Sequence, residues 1–397
     1  MKFTPSLLGL VFLGNAAAFP FSDDSGSLDT RASGKCQWKD QRCCKGFEYD
    51  APDYSPGNHY PYRHTIYVKA HKSIQAAINK ASPGDRIVVE AGTYAEQLTI
   101  KKDGIELVGR GAILVPPQKA VQNSCSGLSG PGTQTGICVT GSGVKLAKFR
   151  VEHRKVISVD KPVKDVTITG FSVRKFSGIN IAILGAKNAR VTKNKLADGA
   201  KYGSLTLGSY NTLVFDNEVS ATRLAGIGVC MDNFSGVKVV KNRVTNHGVG
   251  LCVQTNNADV QYNRVSECCV AIFVDPGVKG AQIRHNYVGK SNSLCPGASG
   301  IILDGAINTL VWDNTVEAQH NNGMASGVVV VDDECPQTGP NISLSCLVLK
   351  HKAVSSGNVI VRNTLRNNDY DIFINSTGTG NVAKCNSCSL PKNLCGK

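Results

Sequence analysis

Apolar residues in this chain recur in short alternating runs, not in long helical stripes. Seven segments carry Val or Ile three residues before an Asn and Val or Leu two residues after it. They are Val191/Asn194/Leu196, Val214/Asn217/Val219, Val239/Asn242/Val244, Val260/Asn263/Val265, Ile283/Asn286/Val288, Val311/Asn314/Val316 and Ile360/Asn363/Leu365. Ile168/Phe171/Val173 has the same frame with an aromatic in the Asn place. The first five Asn intervals are 23, 25, 21, 23 and 28 residues, and the last is 49, close to two periods. Such a period marks a solenoid. A second alternating run lies between the markers, at 228–232, 250–254, 271–275, 300–304, 327–331 and 371–375. Short strands without helical crossovers between them exclude a Rossmann unit or an α/β barrel. Stacked coils of a parallel β-helix fit, because no coil buries its apolar side until its neighbours stack on it. The Asn side chains are then turn amides that bond along the stack.

Alternation also sorts the faces. Val229, Met231, Leu251, Val253, Ile272, Val274, Ile301, Leu303, Val328 and Val330 point inward; Cys230, Asp232, Cys252, Gln254, Phe273, Asp275, Ile302, Asp304, Val329 and Val331 point outward. Upstream, Ile74, Ala77, Ile78 and Ala81 have helical spacing and are stopped by Pro83 and Gly84, which predicts one short amphipathic helix. Strands follow at 86–90, 98–100 and 105–108.

That helix, followed by Ser-Pro-Gly-Asp-Arg-Ile-Val-Val-Glu-Ala-Gly-Thr-Tyr at 82–94, resembles the N-terminal cap and first coil of the pectin lyase-like superfamily. With the coils, the resemblance covers residues 64–385. It implies an all-β fold, a right-handed parallel β-helix with a short N-terminal capping helix. The superfamily includes polysaccharide lyases, glycoside hydrolases, epimerases and non-enzymatic adhesins or phage fibres, so the fold alone leaves the reaction open.

Residues 1–18 combine a Lys, a short apolar run and small residues at Ala16, Ala17 and Ala18, the pattern of a secretory signal. Residues 19–63 read as an irregular Cys-containing leader, 64–385 as the solenoid and 386–397 as a disulfide-pinned tail. All 15 Cys then enter an oxidising space, where they form at most seven bridges. Local grouping suggests Cys125 with Cys138 and Cys335 with Cys346. Cys230 and Cys252 share a frame position on consecutive coils, within disulfide reach across about 4.8 Å. Sequons at Asn233, Asn341 and Asn375 are compatible with glycosylation. No later apolar run is long enough to span a bilayer. The expectation is a secreted, extracellular monomer without a membrane partner.

The 44 Lys plus Arg against 30 Asp plus Glu give a formal charge of +14. Over an exposed repeated surface this favours acidic partners. Nucleic acid is disfavoured by dispersed lysines, 6% aromatic content and the secretory route. An acidic polysaccharide suits both charge and compartment.

Asp232, Asp275 and Asp304 fall in one column, with Gln254 between the first two. Carboxylates in such a column share a proton, hold a divalent cation such as Ca2+, or divide acid and base roles. A lyase on a uronic-acid polysaccharide needs a base beside the carboxylate and a cation to stabilise the enolate-like transition state. Candidate catalytic residues are Asp275, Asp304, Arg284, His285 and Lys241; Asp232, Gln254, Phe273, Tyr262 and Arg264 are candidate substrate contacts; Asp232, Asp275 and Asp304 are candidate Ca2+ ligands. A polysaccharide lyase acting by β-elimination is the leading expectation. A hydrolase using paired Asp residues of the same face is the first alternative, and a non-catalytic wall-glycan binder or adhesin the second. The chain lacks the Asn-Thr-Asp and Gly-His-Gly patterns of polygalacturonases, and its Asp275-Pro-Gly277 lacks the His of the epimerase Asp-Pro-His motif.

Overall fold

The computed structural model describes residues 63–339 and 342–395; the signal, the leader through 62 and the Asn341 sequon lie outside the described residues. Each coil passes through three short strands. The strand before the marker Asn forms the first face, a 14-stranded sheet. The strands after the Asn (second face) and those of the other alternating run (third face) belong to one 18-stranded sheet, because Glu218–Asp232 and Arg243–Val253 continue around the corner between them. Pairing between coils is parallel and in register: Val214 lies beside Val239, Val239 beside Val260, and Val260 beside Ile283. The chain is a right-handed parallel β-helix.

The inward set on the third face belongs to one continuous core with Val191, Val239, Val260, Leu196, Val244 and Val265 from the other two faces. Each such side chain contributes roughly 1.5–3 kcal/mol on burial. At the corner between the first and second faces the marker Asn residues form a buried ladder. The Asn242 backbone N–H and Nδ2 both donate to Asn263 Oδ1, at 2.9 and 3.0 Å, and its Nδ2 also reaches the Val214 carbonyl at 2.9 Å. The residue before each Asn, including Lys193, Asp216, Lys241, Tyr262 and His285, has a positive φ that turns the chain there.

Two features of the repeat differ from expectation. The 49-residue interval is one coil, not two: Asn314 Nδ2 donates directly to Asn363 Oδ1 at 3.0 Å, and Val311 pairs with Ile360. The extra residues leave the stack as an excursion that carries the Leu344–Leu349 helix and the Cys335–Cys346 disulfide. The ladder also continues one step further, to Asn386, which accepts from Asn363 Nδ2 at 3.0 Å.

The N-terminal end is closed by the Ile74–Lys80 helix, whose Ile74 and Ile78 are buried. Ser73 caps it, accepting from the Ala76 N–H at 3.1 Å, and Lys102 Nζ donates to the carbonyls of Ile78, Asn79 and Ala81 at its other end.

Disulfides join Cys125–Cys138, Cys230–Cys252, Cys269–Cys295, Cys335–Cys346 and Cys388–Cys395. Bridges on this scale persist in an oxidising compartment, and the protein is secreted and extracellular. Among the described residues no helix is long and apolar enough to cross a membrane.

The outer side of the third face is covered. Leu205, Cys230, Cys252, Ile302 and Val329 form a second core with Cys125, Leu128 and Val156, against which Val144, Leu146, Val159 and Phe273 pack. Its cover consists of the segment after Thr140, with the antiparallel pair Lys145–Leu146 and Val156–Ser158, and the excursion after Val331. The outward Asp column therefore lies under a roof and not along an open groove.

Candidate functional site

Register places Asp232, Gln254, Asp275 and Asp304 at one height on four successive coils, because Met231 pairs with Val253, Val253 with Val274, and Val274 with Leu303. Successive members are thus about 4.8 Å apart in backbone. Asp232 and Asp304 end third-face strands, and Gln254 and Asp275 directly follow the ends of theirs. Asp232 and Asp275 are 2% exposed, and Asp304 is partly exposed.

The roof supplies their partners. Asp232 forms an ion pair with Lys155 and accepts a bond from His153 Nε2 at 3.2 Å. The other ring nitrogen of His153 lies 3.1 Å from the Tyr202 hydroxyl. Gln254 Nε2 donates to Asp275 Oδ1 at 3.0 Å and to Glu152 Oε2 at 2.8 Å. Ser345 donates its hydroxyl to Asp275 Oδ1 at 3.1 Å, and the Leu344 N–H donates to Glu152 Oε1 at 3.1 Å. Glu152 and Gln254 thereby tie both roof segments to the column. Lys155 is the cation of this set, and its side chain is 35% exposed.

Burial and charge divide the carboxyls. Burial pushes Asp275 well above the usual carboxylate range, and Glu152 reinforces the shift against the bonds from Gln254 and Ser345. Asp304 is raised too, first by burial and then by the charge and hydrogen bond of Asp333 and the charge of Asp332. Asp332 sits below its ordinary value: burial works against ionisation, but bonds from Ser376, Thr377 and the Ser355 N–H outweigh it. The Tyr202 phenol is raised by burial and then by Glu152, Asp275 and Asp232. The column and its neighbours thus set carboxyls raised by burial beside ion-paired or hydrogen-bonded carboxylates, the kind of division that general acid–base chemistry uses.

Several other candidate residues lie elsewhere. Arg284, His285, Lys241 and Tyr262 are on the first face: Arg284 pairs with Asp259 at 3.1 Å, His285 stacks on Tyr262 at 4.9 Å, and Lys241 lies over Phe215 at 5.9 Å. Arg264 is on the second face, over the Tyr287 ring at 4.6 Å. The placement of Arg284 and His285 beside the acids is corrected, because the strand that follows an acid in sequence belongs to another side of the coil. Phe273 is on the third face within the outer cluster. Asn233 is buried, with Nδ2 donating to Thr212 Oγ1 at 2.7 Å, which closes that sequon in the folded chain; Asn375 is exposed.

The column does not fit a Ca2+ cage. Lys155 and His153 occupy the Asp232 carboxylate, and Asp275 Oδ1 already accepts from both Gln254 Nε2 and the Ser345 hydroxyl. Among the described residues, ligand atoms converge at Asp333/Cys335/Cys346 and Asp371/Cys388/Cys395, where the cysteines are already joined as disulfides.

Glu152, His153, Lys155, Tyr202, Asp333 and Ser345 were not singled out as site residues by sequence. The available signal was the break in the repeat: the charged run Glu152-His-Arg-Lys155 and the acids Asp332 and Asp333 fall where alternation stops. Nothing in those segments indicates which face they cover.

Residues 125–277 match a family model described as a right handed beta helix region. Comparison with curated proteins finds no match. Among solved structures, the chain is similar to the DFA-IIIase from Arthrobacter chlorophenolicus without its lid, at 11% identity and a TM-score of 0.52, covering 87% of this chain and 95% of that one. It is also similar to the A-module of a mannuronan C-5 epimerase from Azotobacter vinelandii, at 14% identity and a TM-score of 0.50, covering 77% and 90%. The Dettilon tailspike protein aligns at 15% identity and a TM-score of 0.50, covering 78% of this chain and 61% of its own. These likenesses establish a shared β-helix fold.

Proposed function

We propose that the protein is a carbohydrate-active enzyme that hydrolyses glycosidic bonds in an acidic polysaccharide, using the third-face carboxyl column. The observation that carries this reading is a pair of unlike carboxyls at one end of the column: burial raises Asp304, while bonds from Ser376 and Thr377 hold Asp332 beside it below its ordinary value against burial. Glycoside hydrolysis asks for one carboxyl that protonates the leaving oxygen and another that activates water or attacks the sugar. Asp304 is assigned the acid role because it is partly exposed where Asp232 and Asp275 are buried. Asp332, whose charge acts on Asp304 and whose carboxyl is held below its ordinary value against burial by bonds from Ser376, Thr377 and the Ser355 N–H, supplies the carboxylate. Asp232, three coils or about 14 Å from Asp304, is too far to serve. The charge of +14 favours an anionic substrate. A mannuronan enzyme shares the fold, which agrees with that substrate class without deciding the chemistry.

The lyase expectation loses support because Arg284, Lys241 and Arg264 stand on other faces than the acids. It remains the second reading on one observation: part-exposed Lys155 shares the Asp232 carboxylate with His153, whose other ring nitrogen reaches the Tyr202 phenol, so a cation, an imidazole and a phenol are linked through one acid.

Incubation with polygalacturonate and alginate separates the two. Hydrolysis releases reducing ends without the ultraviolet absorbance of an unsaturated uronate, and Asp304→Asn lowers the rate by about 10²–10⁴-fold. Unsaturated products, with Asp304→Asn unaffected and Lys155→Ala inactive, would establish the lyase instead.

A further inference from the structure

The second face carries a groove that the acid column does not use. It encloses about 430 Å³ and is lined by Arg243, Arg264, Ser266, Tyr287, Lys290 and Glu317, among others. Register explains its shape. Arg243 pairs with Arg264 and Arg264 with Tyr287, so three large outward side chains stand on successive coils about 4.8 Å apart. In the parallel outward row, Val265 pairs with Val288 and Val288 with Val316, which aligns Ser266, Gly289 and Glu317. Two small residues therefore form the floor beside a wall of large ones. A Cβ at Gly289 would lie 3.2 Å from the Tyr287 ring, so the glycine lets that ring lie across the floor.

The wall is held in place before any ligand arrives. Tyr287 donates its hydroxyl to Glu317, Glu317 accepts from Arg366 at 2.6 Å, and the Arg264 guanidinium lies over the Tyr287 ring at 4.6 Å. The charges do not cancel. Lys290 is matched by Glu267 at 2.7 Å and Lys195 by Glu218 at 3.7 Å. Arg243 and Arg264 are exposed neighbours, and among the described residues neither has a carboxylate partner. Two adjacent guanidinium groups facing a fixed groove favour a ligand with repeated carboxylates, which planar forks bind bidentately.

We propose that this groove binds an acidic polysaccharide along the solenoid axis, as an anchoring site separate from the carboxyl column. It rests on the acidic-polymer part of the function proposed above and not on the hydrolytic part. The site holds the polymer on the second face, so that the enzyme stays attached to its substrate between encounters at the third.

The test is direct binding of alginate and polygalacturonate oligomers by titration calorimetry at low and high salt, with dextran as the neutral control. Wild type is expected to bind both acidic oligomers, more weakly as salt rises, and not to bind dextran. Arg243→Ala/Arg264→Ala should weaken binding by about tenfold or more with an unchanged thermal midpoint. Asp304→Asn should bind as wild type does, so loss of hydrolysis and loss of anchoring are read separately. Equal binding by wild type and the double arginine variant would overturn the proposal, as would failure of wild type to bind either acidic oligomer.

Discussion

Asn263 bonds to both neighbouring coils. Its Nδ2 donates to the Val239 carbonyl at 2.8 Å and to Asn286 Oδ1 at 3.0 Å, while its Oδ1 accepts from the Asn242 N–H and Nδ2. Alanine there removes these bonds and takes away the acceptor of the buried Asn242 N–H, while Asn242 Nδ2 keeps the Val214 and Val240 carbonyls. Asn263→Ala is therefore expected to cost about 3 kcal/mol, read as a lower urea midpoint at constant slope. His247 shows the opposite use of burial. It is fully buried, and that burial lowers its pKa to about 4 against small opposing effects of the Thr245 backbone and Asp198. Below about pH 6.5 the unfolded chain takes up a proton that the native ring refuses until about pH 4. The unfolded state then binds more protons, so stability falls as pH drops through this window, by about 3 kcal/mol at its end. His247→Leu should flatten that part of the stability–pH curve. Cys268, the free cysteine among the described residues, is buried beside it with its thiol pushed up to about 12, which makes it a packing group and not a nucleophile.

At the scale of the strand, the glycine that opens several third-face runs has a steric cause. A Cβ on Gly228 would lie 2.5 Å from Val244 Cγ1 and 2.7 Å from the Gly250 carbonyl; one on Gly250 would meet Val265 Cγ1 at 2.5 Å. The chain turns so tightly between the second and third faces that the next coil fills the space a side chain would need. Gly228→Ala should destabilise by about 2 kcal/mol, and Gly228→Val by more, measured by thermal melting. Ala271 occupies the same height, pairing in line with Gly250 and Gly300, so one coil accommodates a methyl group there. The short strands and their inward faces were readable because each depends on alternation over five or six residues. The roof segments were not, because they have no alternation to read. Asp332 and Asp333 follow directly on the alternating run at 327–331, and Asp333 is buried and bears on Asp304.

For the whole molecule, the roofed column sets stability against chemistry. Native Asp275 and Asp304 keep protons that the unfolded chain releases above about pH 3.9. The native state then binds more protons, so these residues reduce stability as pH rises through their folded pKa values. Asp275→Asn and Asp304→Asn should each raise the melting temperature at neutral pH while Asp304→Asn lowers hydrolysis, and the gain should vanish below about pH 4. Equal melting temperatures at both pH values would show that these carboxyls are not held neutral. The period, the Asn ladder, the inward faces and the alignment of Asp232, Gln254, Asp275 and Asp304 were determined by sequence alone. Each coil meets the next after about one period, so a local pattern suffices to set them. Tertiary structure decided what stands opposite that column. Glu152 meets Gln254 across 102 residues and Leu344 meets Glu152 across 192, through segments that carry no repeat. It also decided which residues stay apart: Arg284, Arg264 and Asp275 are near in sequence but lie on three different faces, because the chain turns a corner between each pair of strands.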